Sequence, residues 1–158
     1  MGPGAFPADL RLNLAAGHLY YCDQQKAHIR RINLDGTNAV TLVTDTAYQP
    51  YYLDLDIPGG KIYWGDFDGN PSDSGNVFRM NLDGSGRETV VTGNLQTRGV
   101  GVDAAGGYLY WVNRNAGKVM RCRLADLPVN ATDTAKAQTL YASLDTPHGM
   151  VLDTSAGK

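Results

Sequence analysis

The chain has 158 residues, of which 42% are hydrophobic, and a formal net charge of −2 at pH 7. This length and composition suit one compact domain with a substantial core. Acidic and basic residues are scattered along the chain, which argues against a nucleic-acid-binding protein or a polybasic membrane surface. No apolar run approaches the roughly 20 residues of a transmembrane helix, so we expect no membrane insertion. The start of the chain lacks a signal-peptide pattern, which predicts a soluble protein of the cytoplasm with Cys22 and Cys122 reduced.

Three runs of similar sequence recur along the chain, and each begins with a glycine and contains adjacent aromatic residues. They read Gly-His-Leu-Tyr-Tyr-Cys-Asp at 17–23, Gly-Lys-Ile-Tyr-Trp-Gly-Asp at 60–66 and Gly-Tyr-Leu-Tyr-Trp-Val-Asn at 107–113. A period of roughly 45 residues is typical of an array built from one supersecondary unit. The repeat therefore predicts the architecture before any single residue is interpreted.

Each copy of the repeat predicts four short strands, because runs rich in β-formers alternate with turn residues. The predicted strands are 10–14, 19–23, 29–34 and 40–44 in the first copy, 53–57, 61–66, 77–82 and 87–92 in the second, and 100–103, 109–113, 119–124 and 138–141 in the third. The third copy has a longer polar loop at 125–137, where the first two have an Asp-Gly turn. Residues 147–153 then restart the pattern as the first strand of a further copy.

These elements predict an all-β fold, a β-propeller of four-stranded antiparallel blades with three blades plus one extra strand. Residues 1–158 then form a single partial domain, with blade 1 at about 8–44, blade 2 at about 50–92 and blade 3 at about 98–142. Closed propellers have about four to eight blades, so each outermost blade is expected to expose an apolar face. Either the chain is a fragment of a longer ring, or two copies complete the ring as a homodimer.

The ordered set of motifs resembles the low-density lipoprotein receptor class B repeat, also called the YWTD repeat. The resemblance rests on the runs at 63–66 and 110–113, on the Val/Ile-x-Arg-x-x-Leu strands and on the Asn-Leu-Asp-Gly turns at 33–36 and 81–84. It extends from about Pro7 to Asp153. It implies a six-bladed propeller, of which this chain is half, acting as a non-catalytic module that recognises a protein or small-molecule ligand at its channel mouth.

The chain also departs from the family pattern. Cys22, Gly65 and Val112 stand where the repeat has its threonine, and Asn113 stands where it has its aspartate. No cysteine-rich growth-factor-like module flanks the blades. These departures favour a stand-alone soluble relative over a lipoprotein receptor.

An enzyme is the alternative, because virginiamycin B lyase and gluconolactonase are metal-dependent propellers of similar architecture. In such a lactonase or lyase, channel side chains hold a divalent cation that activates substrate or water. The candidates here are Asp9, Asp54 and His148. A binding module is expected to have no catalytic residue, no metal site and no cofactor. A truncated fragment without an autonomous role is the third hypothesis.

One set of residues is assigned a structural role because its members recur at the same place in successive copies. The aromatic residues are expected to pack between blades, and the arginines to pair with the aspartates that end the second strands, since a desolvated guanidinium requires a carboxylate. The set comprises Tyr20, Tyr63, Trp64, Tyr110, Trp111, Arg31, Arg79, Arg121, Asp23 and Asp66. Asn113 then predicts a weaker third pair.

An acidic run lengthens one hairpin of the second copy, at 66–73. Its oxygens suit a hard cation such as calcium, but the spacing is not that of an EF-hand loop and no bidentate glutamate follows. We expect a solvated loop without a metal.

The positions that do not repeat are the candidates for recognition. Ahead of the first strands, the matched positions read Ala8-Asp9, Tyr51-Tyr52, Arg98-Gly99 and His148-Gly149. The first strand of a propeller blade lines the channel, so its entry faces one mouth of the ring, where a ligand would be bound. The predicted ligand-binding set is Tyr51, Arg98 and His148.

Overall fold

The computed structural model describes residues 6–44, 49–67 and 74–154. Its strands are β1 Pro7–Asn13, β2 His18–Asp23, β3 His28–Asn33, β4 Val40–Thr44, β5 Gln49–Asp56, β6 Lys61–Phe67, β7 Ser74–Asn81, β8 Glu88–Leu95, β9 Thr97–Asp103, β10 Tyr108–Asn113, β11 Lys118–Arg123, β12 Val129–Asn130 and β13 Gln138–Tyr141. A short 3-10 helix covers Leu124–Asp126. The described ranges contain no helix with the length and apolar character that crossing a bilayer requires.

The strands form three sheets in chain order, one for each copy of the repeat. The sheet orders are β1-β2-β3-β4, β12-β8-β7-β6-β5 and β13-β11-β10-β9. Sequence neighbours within each blade pair antiparallel, and the innermost strands β1, β5 and β9 lie side by side. The prediction of an all-β partial propeller is confirmed.

A recurring polar turn closes the first hairpin of every blade. The side-chain Oδ1 of the last residue of the inner strand accepts a hydrogen bond from the backbone N–H three residues later, at 2.7 to 3.1 Å. The acceptors are Asn13, Asp56 and Asp103. The residue that ends each of these turns is Gly17, Gly60 or Gly107, with φ of 68°, 66° and 75°, which is a conformation that glycine adopts without strain. The repeated glycine is therefore explained by turn geometry.

Two apolar clusters fill the spaces between neighbouring blades. Between blades 1 and 2 lie Tyr20, Cys22, Ile29, Val43, Leu53, Ile62, Trp64, Phe78 and Met80. Between blades 2 and 3 lie Tyr63, Val77, Val90, Val91, Val100, Val102, Leu109, Trp111, Met120, Cys122, Val129, Ala131 and Ala137. Blade 2 thus buries residues from both faces of its sheet, and blades 1 and 3 bury the face that each turns towards blade 2, as expected for a stack of blades. Cys22 and Cys122 lie in different clusters and are not disulfide bonded; burial raises the pKa of Cys122 to about 12.

The outer faces of the two end blades carry apolar residues that are not covered by the described residues. On blade 1, Leu19, Tyr21 and Ile32 line a groove of about 760 Å³. Their counterparts in the other blades, such as Trp64 and Trp111, are 2% and 0% exposed. On blade 3, Leu140 and Tyr141 are 42% and 60% exposed. Each outer face thus resembles in composition the faces that pack between blades.

Residues 147–153 do not form the predicted extra strand. No following strand among the described residues is present to pair with them, and a backbone hydrogen bond of 2.7 Å from Gly99 N to His148 O joins the segment to β9. It nevertheless lies along β9, since a Cβ built at Gly101 would be 2.9 Å from Leu152. A second copy completing the ring would place its β1 here, so the predicted homodimer requires this segment to move.

The long loop predicted at 125–137 contributes an unforeseen strand to the neighbouring blade. Val129 and Asn130 pair in parallel with Val91 and Thr92 of β8, which gives blade 2 a fifth strand. The loop also buries Ala137 in the cluster between blades 2 and 3. Blades 2 and 3 are therefore joined by main-chain hydrogen bonds as well as by side-chain packing.

Candidate functional site

The candidate site lies at the mouth where the inner strands begin, and β5 and β9 bring two of its predicted residues into contact. The guanidinium carbon of Arg98 lies 4.3 Å from the ring centroid of Tyr51, a cation–π geometry. The rings of Tyr51 and Tyr52 lie 5.0 Å apart and tilted. Arg98 is 5% exposed, so its charge stands in a partly desolvated setting against aromatic faces.

The third predicted residue, His148, lies beside an arginine that the sequence analysis did not single out. Arg114 Nε donates to His148 Nε2 at 3.3 Å, and Arg114 Nη1 donates to Gln96 Oε1 at 3.2 Å. The main-chain oxygen of Gln96 also accepts from Arg114 N at 3.1 Å. His148 is in turn tied to β9 through Gly99. We call Tyr51, Tyr52, Gln96, Arg98, Arg114 and His148 the mouth cluster.

The mouth cluster has a positive electrostatic character. Partial burial, and then the charges of Arg114 and Arg98, lower the pKa of His148. Burial lowers the pKa of Arg98, and the nearby charge of Arg114 acts in the same direction while the two tyrosines oppose it. The lowered pKa favours the neutral imidazole, which agrees with its Nε2 accepting a hydrogen bond from Arg114.

Two backbone features fix the start of β9 and hence Arg98. Gln96 has a left-handed backbone conformation with φ of 53°, and it is 5% exposed. Gly65 of β6 lies so close to β9 that a Cβ at this position would be 2.7 Å from the carbonyl oxygen of Arg98 and 3.0 Å from Thr97 Cγ2. The absence of a side chain where the family has threonine is thus required by the close approach of blade 3.

Sequence reasoning missed Arg114 and Gln96, although a signal for Arg114 was present. Like the residues ahead of the first strands, the residues that directly follow the three repeated runs differ between blades, as Gln24, Phe67 and Arg114. In blade 1, Gln24 Nε2 donates to Gln49 Oε1 at 3.2 Å, which parallels the contact of Arg114 with Gln96. In blades 1 and 3 this second non-repeating position also faces the mouth.

The structure corrects the predicted pairing of arginines with aspartates. The strand register places Arg31, Arg79 and Arg121 directly opposite Tyr20, Tyr63 and Tyr110. Arg79 Nη1 donates to the Tyr63 hydroxyl at 3.4 Å, and its ion pair is with Glu88 at 2.7 Å. Arg121 lies 4.5 Å over the ring of Tyr108. Each arginine therefore lies beside a tyrosine of the second strand, several residues away from the end of that strand.

The acidic residues at or near the ends of the second strands accept hydrogen bonds from backbone N–H groups instead. Asp23 Oδ1 accepts from Phe6 N and Lys26 N, and Asp66 Oδ1 accepts from Asn76 N. Asn113 Oδ1 accepts from Ala116 N at 3.3 Å, the same turn contact as in blade 1. An amide oxygen serves this purpose as well as a carboxylate, so the Asn113 departure is explained without a weakened ion pair.

The aromatic residues of the repeat lie between blades wherever a neighbouring blade is present. Tyr20, Tyr63, Trp64 and Trp111 are at most 2% exposed. Tyr20 donates to Leu82 O of blade 2 at 3.4 Å. Tyr110 occupies the equivalent position on the outer face of blade 3 and is half-buried.

The residues proposed for a metal site do not assemble one. Asp9 and Asp54 both contact Arg11, at 2.7 and 3.2 Å, and their second oxygens accept from Leu53 N and Val102 N of the following blades. His148 contacts Arg114 instead. Among the described residues, no three His, Cys, Asp or Glu side chains are placed to hold a metal ion. The predicted solvated loop at 66–73 lies largely outside the described residues.

Replacing Arg114 with glutamine is expected to raise the pKa of His148 towards its ordinary value, because one neighbouring positive charge is lost. Because the pKa of His148 is lower in the folded protein than in the unfolded chain, the folded protein binds fewer protons in this pH range. The contribution of His148 to the free energy of unfolding therefore decreases as pH falls below the unfolded pKa of about 6.5. Titration of the imidazole by NMR checks the shift, with Arg123→Gln on the exposed part of β11 as the control. An unchanged or lower pKa of His148 in Arg114→Gln would contradict the effect assigned to the Arg114 charge.

Comparison with known proteins finds relatives among low-density lipoprotein receptor-related proteins. The chain is 32% identical to protein 5 of Mus musculus over 117 residues, which cover 73% of this chain and 7% of that protein. It is 30% identical to protein 5 of Homo sapiens over 117 residues, again 73% of this chain and 7% of that protein. It is 32% identical to protein 1 of Pyricularia oryzae over 149 residues, 82% of this chain and 46% of that protein. The chain thus spans less than half of these relatives, and no family model matches it.

Solved structures support the fold. A chain in the crystal structure of a nidogen/laminin complex superposes with a TM-score of 0.82 at 22% identity, covering 98% of this chain and 56% of that chain. A luciferin-regenerating enzyme superposes with a TM-score of 0.62 at 12% identity, covering 84% of this chain and 46% of that chain. At these identities the likeness concerns the propeller fold alone.

Proposed function

The chain belongs to the low-density lipoprotein receptor class B, or YWTD, repeat family, and from this premise we propose that it is a non-catalytic module that binds a protein ligand at its channel mouth. The observation that carries the proposal is the contrast between the repeated scaffold and the mouth cluster. Repeated residues pack blades or close turns. Four residues of the mouth cluster have neither role in every blade, yet they lie together: Tyr51, Arg98, Arg114 and His148.

The relatives favour a binding module over an enzyme. The curated relatives are receptor-related proteins. A luciferin-regenerating enzyme shares the fold at 12% identity, which transfers no activity. Asp9 and Asp54 bind Arg11 and backbone N–H groups, so their oxygens already have protein partners. A lactonase or lyase is therefore the less supported alternative.

Selection of a phage-displayed peptide library against the purified chain tests where ligands bind. We expect the selected peptides to bind the Tyr51→Ala/Arg98→Gln/His148→Ala variant about tenfold or more weakly than the wild type. The reason is that a few central residues contribute most of the binding free energy of an interface. The control is Arg123→Gln, an exposed residue at the opposite end of β11, which is expected to retain binding. Comparable melting temperatures must accompany the measurement. Peptides that bind the mouth variant as well as the wild type would overturn the proposed site.

A further inference from the structure

Positive groups converge at the mouth while the nearby acidic groups are engaged elsewhere. Arg114 lies against His148, and the charges of Arg98 and Arg114 both act on that imidazole. Asp9 lines a cavity beside Tyr52, and both it and Asp54 bind Arg11. The acidic groups of the channel wall therefore face Arg11 and backbone N–H groups.

Arg114 is placed to accept an additional partner. Its side chain donates to Gln96 Oε1 and His148 Nε2, both uncharged acceptors, through Nη1 and Nε. A guanidinium has five N–H donors, so donors remain for a ligand. Gln96 and the 3.1 Å main-chain contact of Arg114 N hold the residue in place, which lowers the entropy lost on binding. An arginine held in this way suits bidentate recognition of a carboxylate.

Arg98 supplies a second positive charge to the mouth cluster. It is 5% exposed and stacked on Tyr51, so bulk water screens its charge less than that of a surface arginine. A neighbouring cavity of about 340 Å³ is lined by Tyr52, Gly149, Met150 and Val151, together with Asp9 and Arg11. This volume is at the low end of the range for ligand pockets, which suits one or two side chains of a partner.

We infer that the mouth cluster takes an aspartate- or glutamate-bearing segment of a partner protein, with the carboxylate against Arg114 and His148 and the flanking side chains beside Tyr52. This inference rests on the proposed function, since it names the ligand class of the same site. Charge-assisted hydrogen bonds are about twice as strong as neutral ones, so an aspartate is preferred to an asparagine of the same shape.

The test uses two short capped peptides, acetyl-Gly-Asp-Gly-amide and acetyl-Gly-Asn-Gly-amide, titrated into the isotopically labelled chain. We expect the aspartate peptide to shift the NMR signals of Gln96, Arg98, Arg114 and His148, and to bind about tenfold more tightly than the asparagine peptide. Arg114→Gln is expected to weaken the aspartate peptide about tenfold, and the exposed control Arg123→Gln to leave it within about twofold. Arg98→Gln is compared as well, provided that its NMR spectrum shows a folded protein. Added salt is expected to weaken the aspartate peptide more than the asparagine peptide.

The outcomes separate this inference from the proposed function. Equal binding of both peptides at the mouth would overturn the preference for a carboxylate and leave the mouth as a ligand site. Shifts confined to other surfaces, or no shifts with either peptide, would overturn the carboxylate inference as well. The library selection then decides independently whether ligands use the mouth.

Discussion

Tyr63→Ala is expected to lower the free energy of unfolding by about 3–5 kcal/mol, the range for removing a buried aromatic ring. Tyr63 is 1% exposed and belongs to the cluster between blades 2 and 3. Its hydroxyl accepts from Arg79 at 3.4 Å, so truncation also removes a polar contact of this guanidinium. Urea denaturation followed by tryptophan fluorescence measures the loss, because Trp64 and Trp111 are both buried.

The matched control is Tyr110→Ala, the same repeat position on the outer face of blade 3. Tyr110 is half-buried and lies opposite Arg121, but no described blade covers it. Its truncation is expected to cost about 1 kcal/mol or less. Tyr63→Phe, which keeps the ring, is expected to cost a similarly small amount. An equal loss at Tyr110 and Tyr63 would contradict the prediction and indicate that a further blade or second copy covers this face in solution.

The blade architecture was predictable because it follows from local patterns. Aromatic residues at repeat spacing and Asp-Gly turns at 35–36 and 83–84 recur with the period, and short hairpins follow from such patterns. The strand at 129–130 was not predictable, since it depends on a loop of blade 3 reaching β8 of blade 2. Pairing over such a distance leaves no local signal in the loop itself.

The candidate site was predictable in part, for a related reason. Tyr51 and Arg98 were found because they break a repeat at channel-lining positions. Arg114 was missed because its position follows the motif, although it also breaks the repeat. The predicted pairing of Arg79 with Asp66 was wrong because a spacing along one strand does not fix the partner across a hairpin. The register pairs Arg79 with Tyr63.

Gly65→Thr, which restores the family residue, is expected to destabilise the chain although it improves the match to the motif. A Cβ at this position would lie 2.7 Å from the carbonyl oxygen of Arg98, and this neighbour is backbone that cannot rotate away. Overpacking of this kind costs about 1–3 kcal/mol, and threonine adds two further heavy atoms. We expect Gly65→Ala to fall within that range and Gly65→Thr to exceed it, in chemical denaturation.

The same substitutions are expected to disturb the mouth, because β9 must move away from β6 to make room. Arg98 would then leave its position over Tyr51, and the NMR signals of both residues would shift in Gly65→Ala. Cys22→Ala is the matched control at the equivalent position of blade 1, where the native residue already has a Cβ. It is expected to cost about 1 kcal/mol, from the lost sulfur atom alone, and to leave the mouth signals in place. Wild-type stability in Gly65→Ala would show that blade 3 does not approach blade 2 this closely, and the structural reason given for the missing threonine would then be wrong.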